Sequence, residues 1–315
     1  MSEFSRRDFM VGSAAGMLAL GAGPLAAPAL FAREKAADMA IARWKGPKEL
    51  DTAALKKVAV QLTEKAIEAI GGLKRFVKKG DVVWVKPNIG WERKPETAGN
   101  TNPDVVATIV RLCFDAGAKT VKVGDNPVRG QVTVKAYELS GIPAAVRELG
   151  ADVVFLDRNR FRDTAINGEG IKRIPMYPDI LECDLVINVP VAKHHRLSEV
   201  TICMKNYLGV IENRPLTHQV FVPGLADLTR FMKPRICVLD AVRVLPKNGP
   251  SGGNLADVKL TTTVAAGVDI VALDALGAEL LGRNPKDVKT IVSGEKAGLG
   301  KIDYRSLALR EIAVT

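Results

Sequence analysis

With 315 residues, 47% of them hydrophobic and 25% charged, the chain can build one large α/β domain or two small ones, and a disordered polymer is excluded. The formal charge of +10 belongs to the body of the chain, because Glu3 and Asp8 cancel Arg6 and Arg7 within the first 29 residues. Its lysines (Lys45, Lys56, Lys78, Lys119, Lys122 among them) are scattered and aromatic residues make up only 5%, which argues against nucleic acid and reads first as a solvated basic surface.

The N-terminus reads as a secretory signal. Ser5-Arg6-Arg7-Asp8-Phe9-Met10 is an arginine pair followed by an aromatic and a large apolar residue. No charge then occurs from Phe9 to Ala32, and Ala27-Pro28-Ala29 supplies a small-x-small cleavage pattern. The arginine pair points to the twin-arginine route, so residues 1–32 are expected to be a signal peptide, the translocase its partner, and the destination periplasmic or otherwise exported. An uncleaved segment would be the chain's one link to a membrane. The glycines at 12, 16, 21 and 23 and Pro24 dilute its apolarity and favour cleavage.

In the body, apolar residues at helical spacing over 53–70 end at Gly71-Gly72. A β-branched run, 82–85, reads as a buried strand stopped by Pro87. Asn102-Pro103 opens a helix that runs to Gly117, and 120–123 is the next strand. A helix over 143–149, strands over 153–156, 184–189 and 235–239, and a helix over 270–281 follow. This alternation predicts an α/β fold with a mostly parallel, doubly wound, Rossmann-like sheet, a single domain over 50–315, and an inserted lobe near 190–224.

Such sheets hold ligands beyond the carboxyl ends of their strands. The polar groups at those ends are Lys86 and Asn88, Asp125, Lys193 and His195, and Asp240. A second cluster, Thr201-Ile202-Cys203-Met204-Lys205-Asn206-Tyr207-Leu208-Gly209, holds Lys205 and Asn206, with His218 shortly after. All three histidines of the chain fall between His194 and His218, and histidine suits proton transfer and metal ligation. His195, His218 and Asp240 are therefore the metal candidates, although no local ligand motif is present. Adjacent His194 and His195 would leave an extended segment on opposite sides, and His195 is the one expected to face the site. The four cysteines lie far apart with no C-x-x-C pair, so no local cluster motif exists; a metal ion or iron–sulfur group would need ligands from distant segments. Asn248 to Asn254 is a glycine-rich loop that lacks a P-loop pattern and reads first as a turn.

Val85-Lys86-Pro87-Asn88, Val123-Gly124-Asp125, the run 184–190 with Lys193 and His195, and Met204-Lys205-Asn206-Tyr207-Leu208-Gly209 occur in an order that resembles the domain of unknown function 362 family. His218, Val238-Leu239-Asp240 and Gly249-Pro250 extend the resemblance over about 80–285. It implies that Lys86, Asn88, Lys193, His195, Lys205, Asn206, His218 and Asp240 are the family's recurrent polar residues. Many members carry added ferredoxin-like cysteine runs, and this chain has none.

Three functions follow as expectations. The first is an exported enzyme with redox or isomerase chemistry on an anionic molecule. In it, His195, His218, Lys205 and Asp240 act in catalysis and Lys86, Asn88, Lys193, Asn206 and Asp125 bind the ligand. The second is a periplasmic iron–sulfur or other metal-binding electron carrier, and the third a non-catalytic binding protein.

Overall fold

A computed structural model of the protein describes residues 36–128, 133–212 and 221–315. The expected signal segment and His218 lie outside these residues. The first half runs β1 (Met39–Trp44), α1 (Thr52–Ala69), β2 (Val82–Pro87), α2 (Pro103–Asp115), β3 (Thr120–Val123), α3 (Thr133–Ser140), α4 (Ile142–Arg147) and β4 (Asp152–Val153). A hairpin of β5 (Arg162–Ala165) and β6 (Arg173–Met176) follows, then α5 (Pro178–Leu181), β7 (Leu185–Val189), β8 (Val191–His195), β9 (Glu199–Thr201) and the short α6 (Cys203–Asn206). The chain closes with α7 (Phe221–Met232), β10 (Ile236–Leu245), β11 (Lys259–Gly267), α8 (Ile270–Leu280), α9 (Lys289–Lys296) and β12 (Leu309–Val314).

The main sheet has ten strands in the order β12-β1-β11-β10-β7-β2-β3-β4, with β8 added to β10 and β9 to β8. Strands β10, β7, β2, β3 and β4 are parallel neighbours; β11 runs antiparallel to both β10 and β1. The fold is thus a mixed α/β, Rossmann-like arrangement around a mostly parallel sheet. The antiparallel edge made by β1 and β11 is a feature the sequence pattern did not announce. Its strands are rich in Ala, Met and Thr where the parallel strands carry Val and Ile runs.

Alternation along the strands separates two apolar cores. Val83 and Val85 of β2 face the core built with α1, α2 and α4, whereas Trp84 between them faces the core built with α7, α8 and α9. Helices α1, α2 and α8 start on polar caps. Asp51 accepts the Ala54 amide, Asn102 that of Asp104, and Asp269 that of Ala272. The expected strand over 153–156 shortens to Asp152–Val153: at the sheet's edge only β3 pairs with it, and the Val154 carbonyl instead accepts the Tyr137 hydroxyl.

At Val189 the chain turns through Pro190, and β8 takes the place of β7 alongside β10. The Asp240 amide bonds the Pro190 carbonyl, and Leu245 pairs with Lys193. This hand-over carries the β8–β9 hairpin and α6 past the carboxyl ends of β2, β3 and β7.

Candidate functional site

A cleft of about 200 Å³ opens there, lined by Asn88, Asp125, Lys193, His195, Thr201, Lys205 and Asn206 on its polar side and by Trp91, Val128, Leu197, Leu208 and Pro250 on its apolar side. The candidate site residues Asn88, Asp125, Lys193, His195, Lys205 and Asn206, picked from the sequence near strand ends or in the 201–209 cluster, therefore share one wall system.

Beneath the lining lies a buried ion pair. The Lys86 ammonium donates to Asp125 Oδ1 at 2.6 Å and to the Pro87 carbonyl at 2.9 Å. The other oxygen of Asp125 accepts the Ile89 amide at 2.7 Å, so the carboxylate is satisfied on both sides. Gly209 is packed against this pair: a Cβ there would stand 1.7 Å from Asp125 Oδ1. The requirement at this position is space, and glycine meets it.

Asparagines tie the segments together. Asn88 Nδ2 donates to Asn206 Oδ1 at 3.0 Å, and Asn206 Nδ2 donates to Asn188 Oδ1 at 2.8 Å and to the Lys86 carbonyl at 3.2 Å. Lys193 donates to Asn88 Oδ1 at 2.8 Å and to the Gly99 carbonyl at 2.6 Å. Strands β2, β7 and β8 and helix α6 are thus linked through three side-chain amides and one ammonium. The Lys205 ammonium stands 4.9 Å above the Phe221 ring, a geometry that favours a cation.

The β8–β9 hairpin explains which side chains face the cleft. Lys193 pairs with Thr201 and His195 with Glu199, and Lys193 and His195 are two residues apart on one strand. Lys193, His195 and Thr201 therefore leave the same face. His194 leaves the other face, where its Nδ1 accepts the Gly249 amide at 3.2 Å. His195 Nδ1 accepts the amides of Leu197 and Ser198 at 3.1 and 3.3 Å, which places the proton of the neutral ring on Nε2.

Asp240 is elsewhere. It is buried and is not among the residues lining the cleft; its Oδ2 accepts the Asn102 amide at the start of α2 and its Oδ1 accepts the Val242 amide. Its neighbours Val238 and Val242 belong to the core on the α1–α2 face, whereas Lys86 lies on the Trp84 side of β2, so alternation along β10 sends Asp240 away. Burial pushes its carboxyl up to about 6.

The metal candidates fare accordingly. Asp240 does not converge with His195, and no group of three His, Cys, Asp or Glu side chains gathers among the described residues. Cys113 sits in one core while Cys203 and Cys237 sit in the other, so the four free cysteines do not form a cluster site. The described residues do not fit an iron–sulfur group.

Trp91, which walls the cleft, was not legible in the sequence. Thr201 contributes a buried hydroxyl that has no hydrogen-bond partner among the described residues, as does the Tyr207 hydroxyl in the core below. The glycine-rich loop gives the carbonyls of Ser251 and Gly252 to Arg93, and only Pro250 reaches the cleft. A larger cavity of about 570 Å³ opens at the amino ends of β7 and β10, lined by Leu181, Asp184, Asp227, Phe231 and Arg235 among others. It holds none of the sequence-derived candidates.

The model of a family described as "Domain of unknown function (DUF362)" matches residues 83–279, more than half of the chain. The thylakoid-associated protein sll1697 of Synechocystis sp. (strain ATCC 27184 / PCC 6803 / Kazusa) is similar, with 28% identity over 242 residues that cover 74% of this chain and 73% of that protein. No helix among the described residues is long and apolar enough to cross a membrane.

Proposed function

The chain belongs to the DUF362 family, whose function is undefined, and from that premise we propose that it is an exported enzyme acting on a small anionic molecule in the cleft at the strand ends. The observation that carries this reading is the convergence of Asn88, Asp125, Lys193, His195, Lys205 and Asn206, from four separate stretches of chain, on one cleft. Among the described residues of that lining the single carboxylate, Asp125, is already neutralised by Lys86, while Lys193 and Lys205 add two ammonium groups. A small anion is the ligand such a lining favours.

In this reading Lys205 attracts and orients the anion, and the asparagine network holds the surrounding segments in register. His195 is the group that moves a proton. Its Nδ1 is committed to two backbone amides, so Nε2 is the exchanging atom. Export rests on Arg6-Arg7 and the uncharged segment that follows.

Native mass spectrometry with elemental analysis on the full chain tests the reading by detecting what co-purifies. A small organic or inorganic anion retained by the wild type and lost on Lys205→Ala supports it. A protein that retains nothing, or retains the same mass after that substitution, counts against it. His195→Asn separates an enzyme from a binding protein. The Asn side-chain oxygen can replace Nδ1 as acceptor but supplies no exchangeable Nε2 proton, so the variant keeps the ligand and loses turnover by roughly 10²–10⁴-fold if His195 is the proton carrier.

A further inference from the structure

Among the described residues that line the cleft, Thr201 has the one buried side-chain polar atom that lacks a partner, its hydroxyl. Thr201 is only 5% exposed, so water reaches it poorly. An unsatisfied buried hydroxyl is costly and rare in a native protein, and one carried by a residue that lines a cleft implies that something entering the cleft completes it. Backbone geometry aims it: Thr201 is the direct cross-strand partner of Lys193 on the hairpin face that also carries His195.

We infer that the cleft takes a compact organic carboxylate, with one carboxylate oxygen accepting the Thr201 hydroxyl and the charge facing Lys205, and with the ligand's apolar body against Trp91, Leu197, Leu208 and Pro250. This rests on the reading of the cleft as an anion site and names the class of anion. Two features select a carboxylate over a phosphate. Phosphate sites are built from converging backbone amides, usually of a glycine-rich loop. Here the glycine-rich loop presents carbonyls to Arg93, and its member at the cleft, Pro250, has no amide proton to give. The apolar wall, in turn, has no use in holding a fully hydrated inorganic anion, whereas it matches a flat or branched hydrocarbon body.

Titration calorimetry on the full chain, with benzoate, benzamide and inorganic phosphate as probes, tests the inference. The wild type is expected to bind benzoate and to bind benzamide and phosphate at least about ten-fold more weakly, the difference one charge-assisted hydrogen bond makes. Thr201→Val is close in shape and removes a hydroxyl that bonds nothing in the free protein. The free variant should therefore unfold at the same or a higher urea concentration than the wild type, while its benzoate affinity falls about ten-fold or more. Thr201→Ser should retain binding. Unchanged benzoate affinity in Thr201→Val overturns the inference, and so does a lower unfolding midpoint without any loss of binding, which would assign the hydroxyl to an ordered water. Tighter binding of phosphate than of benzoate removes the carboxylate assignment but leaves the anion cleft standing. Binding of none of the three probes removes the anion cleft itself.

Discussion

Lys86 and Asp125 are the residues on which the cleft is founded, and both have almost no solvent contact. Breaking a buried pair by removing one partner leaves an uncompensated charge and costs about 3–5 kcal/mol. Lys86→Met and Asp125→Leu should each lower the urea midpoint sharply, and the double variant should lose less than the sum of the two. Additive losses would show that the pair is not coupled. Gly209→Ala tests the same spot by volume. With 1.7 Å between its Cβ and Asp125 Oδ1 the carboxylate must move, so the variant should lose ligand binding together with stability. Lys86, Asn88 and Asp125 were legible because a β-branched run ending in polar residues marks a strand end, and strand ends in parallel sheets face ligands. Gly209 appeared in the sequence only as part of a motif. Its reason, a close approach by residues 84 and 123 positions away, exists only once the chain is folded.

At the scale of elements, the β8–β9 hairpin and α6 decide which side chains meet. Thr201 stands in the 201–209 cluster of the sequence without a role of its own, because that role depends on cross-strand pairing with Lys193, a register set by the turn at Arg196-Leu197-Ser198. Asp240 was read as a cleft residue because it follows the expected strand 235–239. In fact β10 continues to Leu245, and Asp240 leaves it between Val238 and Val242 on the side of the α1–α2 core. Helix α6 is held at its start by Asp274, whose carboxyl accepts the amides of Cys203 at 2.5 Å and Met204 at 3.2 Å. Burial pushes that carboxyl up to about 7, with the two amide bonds acting against the rise. The folded protein therefore holds this proton more tightly than the unfolded chain does. The associated stability is fully present below about pH 4 and is lost as pH rises through about 7. Asp274→Asn should flatten that decline, so that its unfolding midpoint gains on the wild type between pH 5 and pH 8. Parallel profiles for the two proteins would assign the proton elsewhere.

Over the whole molecule, the parallel half of the sheet was readable because Val- and Ile-rich runs alternate with helical periods. The edge made by β12, β1 and β11 was not, since its strands lack such runs and pair across more than 200 residues of sequence. That edge closes the two cores, while the parallel half presents the cleft. Export belongs to this scale too. Replacing Arg6 and Arg7 together by Lys should leave the folded protein in the cytoplasm, read by cell fractionation, while unchanged export would assign another route. The central claim is that segments far apart in the chain build one anion-binding cleft at the carboxyl ends of the strands. A crystal structure of the full chain grown with benzoate tests it most directly: the carboxylate should sit within hydrogen-bond distance of Thr201 Oγ1 and beside the Lys205 ammonium. Benzoate in the larger cavity at the strands' amino ends, with the cleft empty, would contradict it.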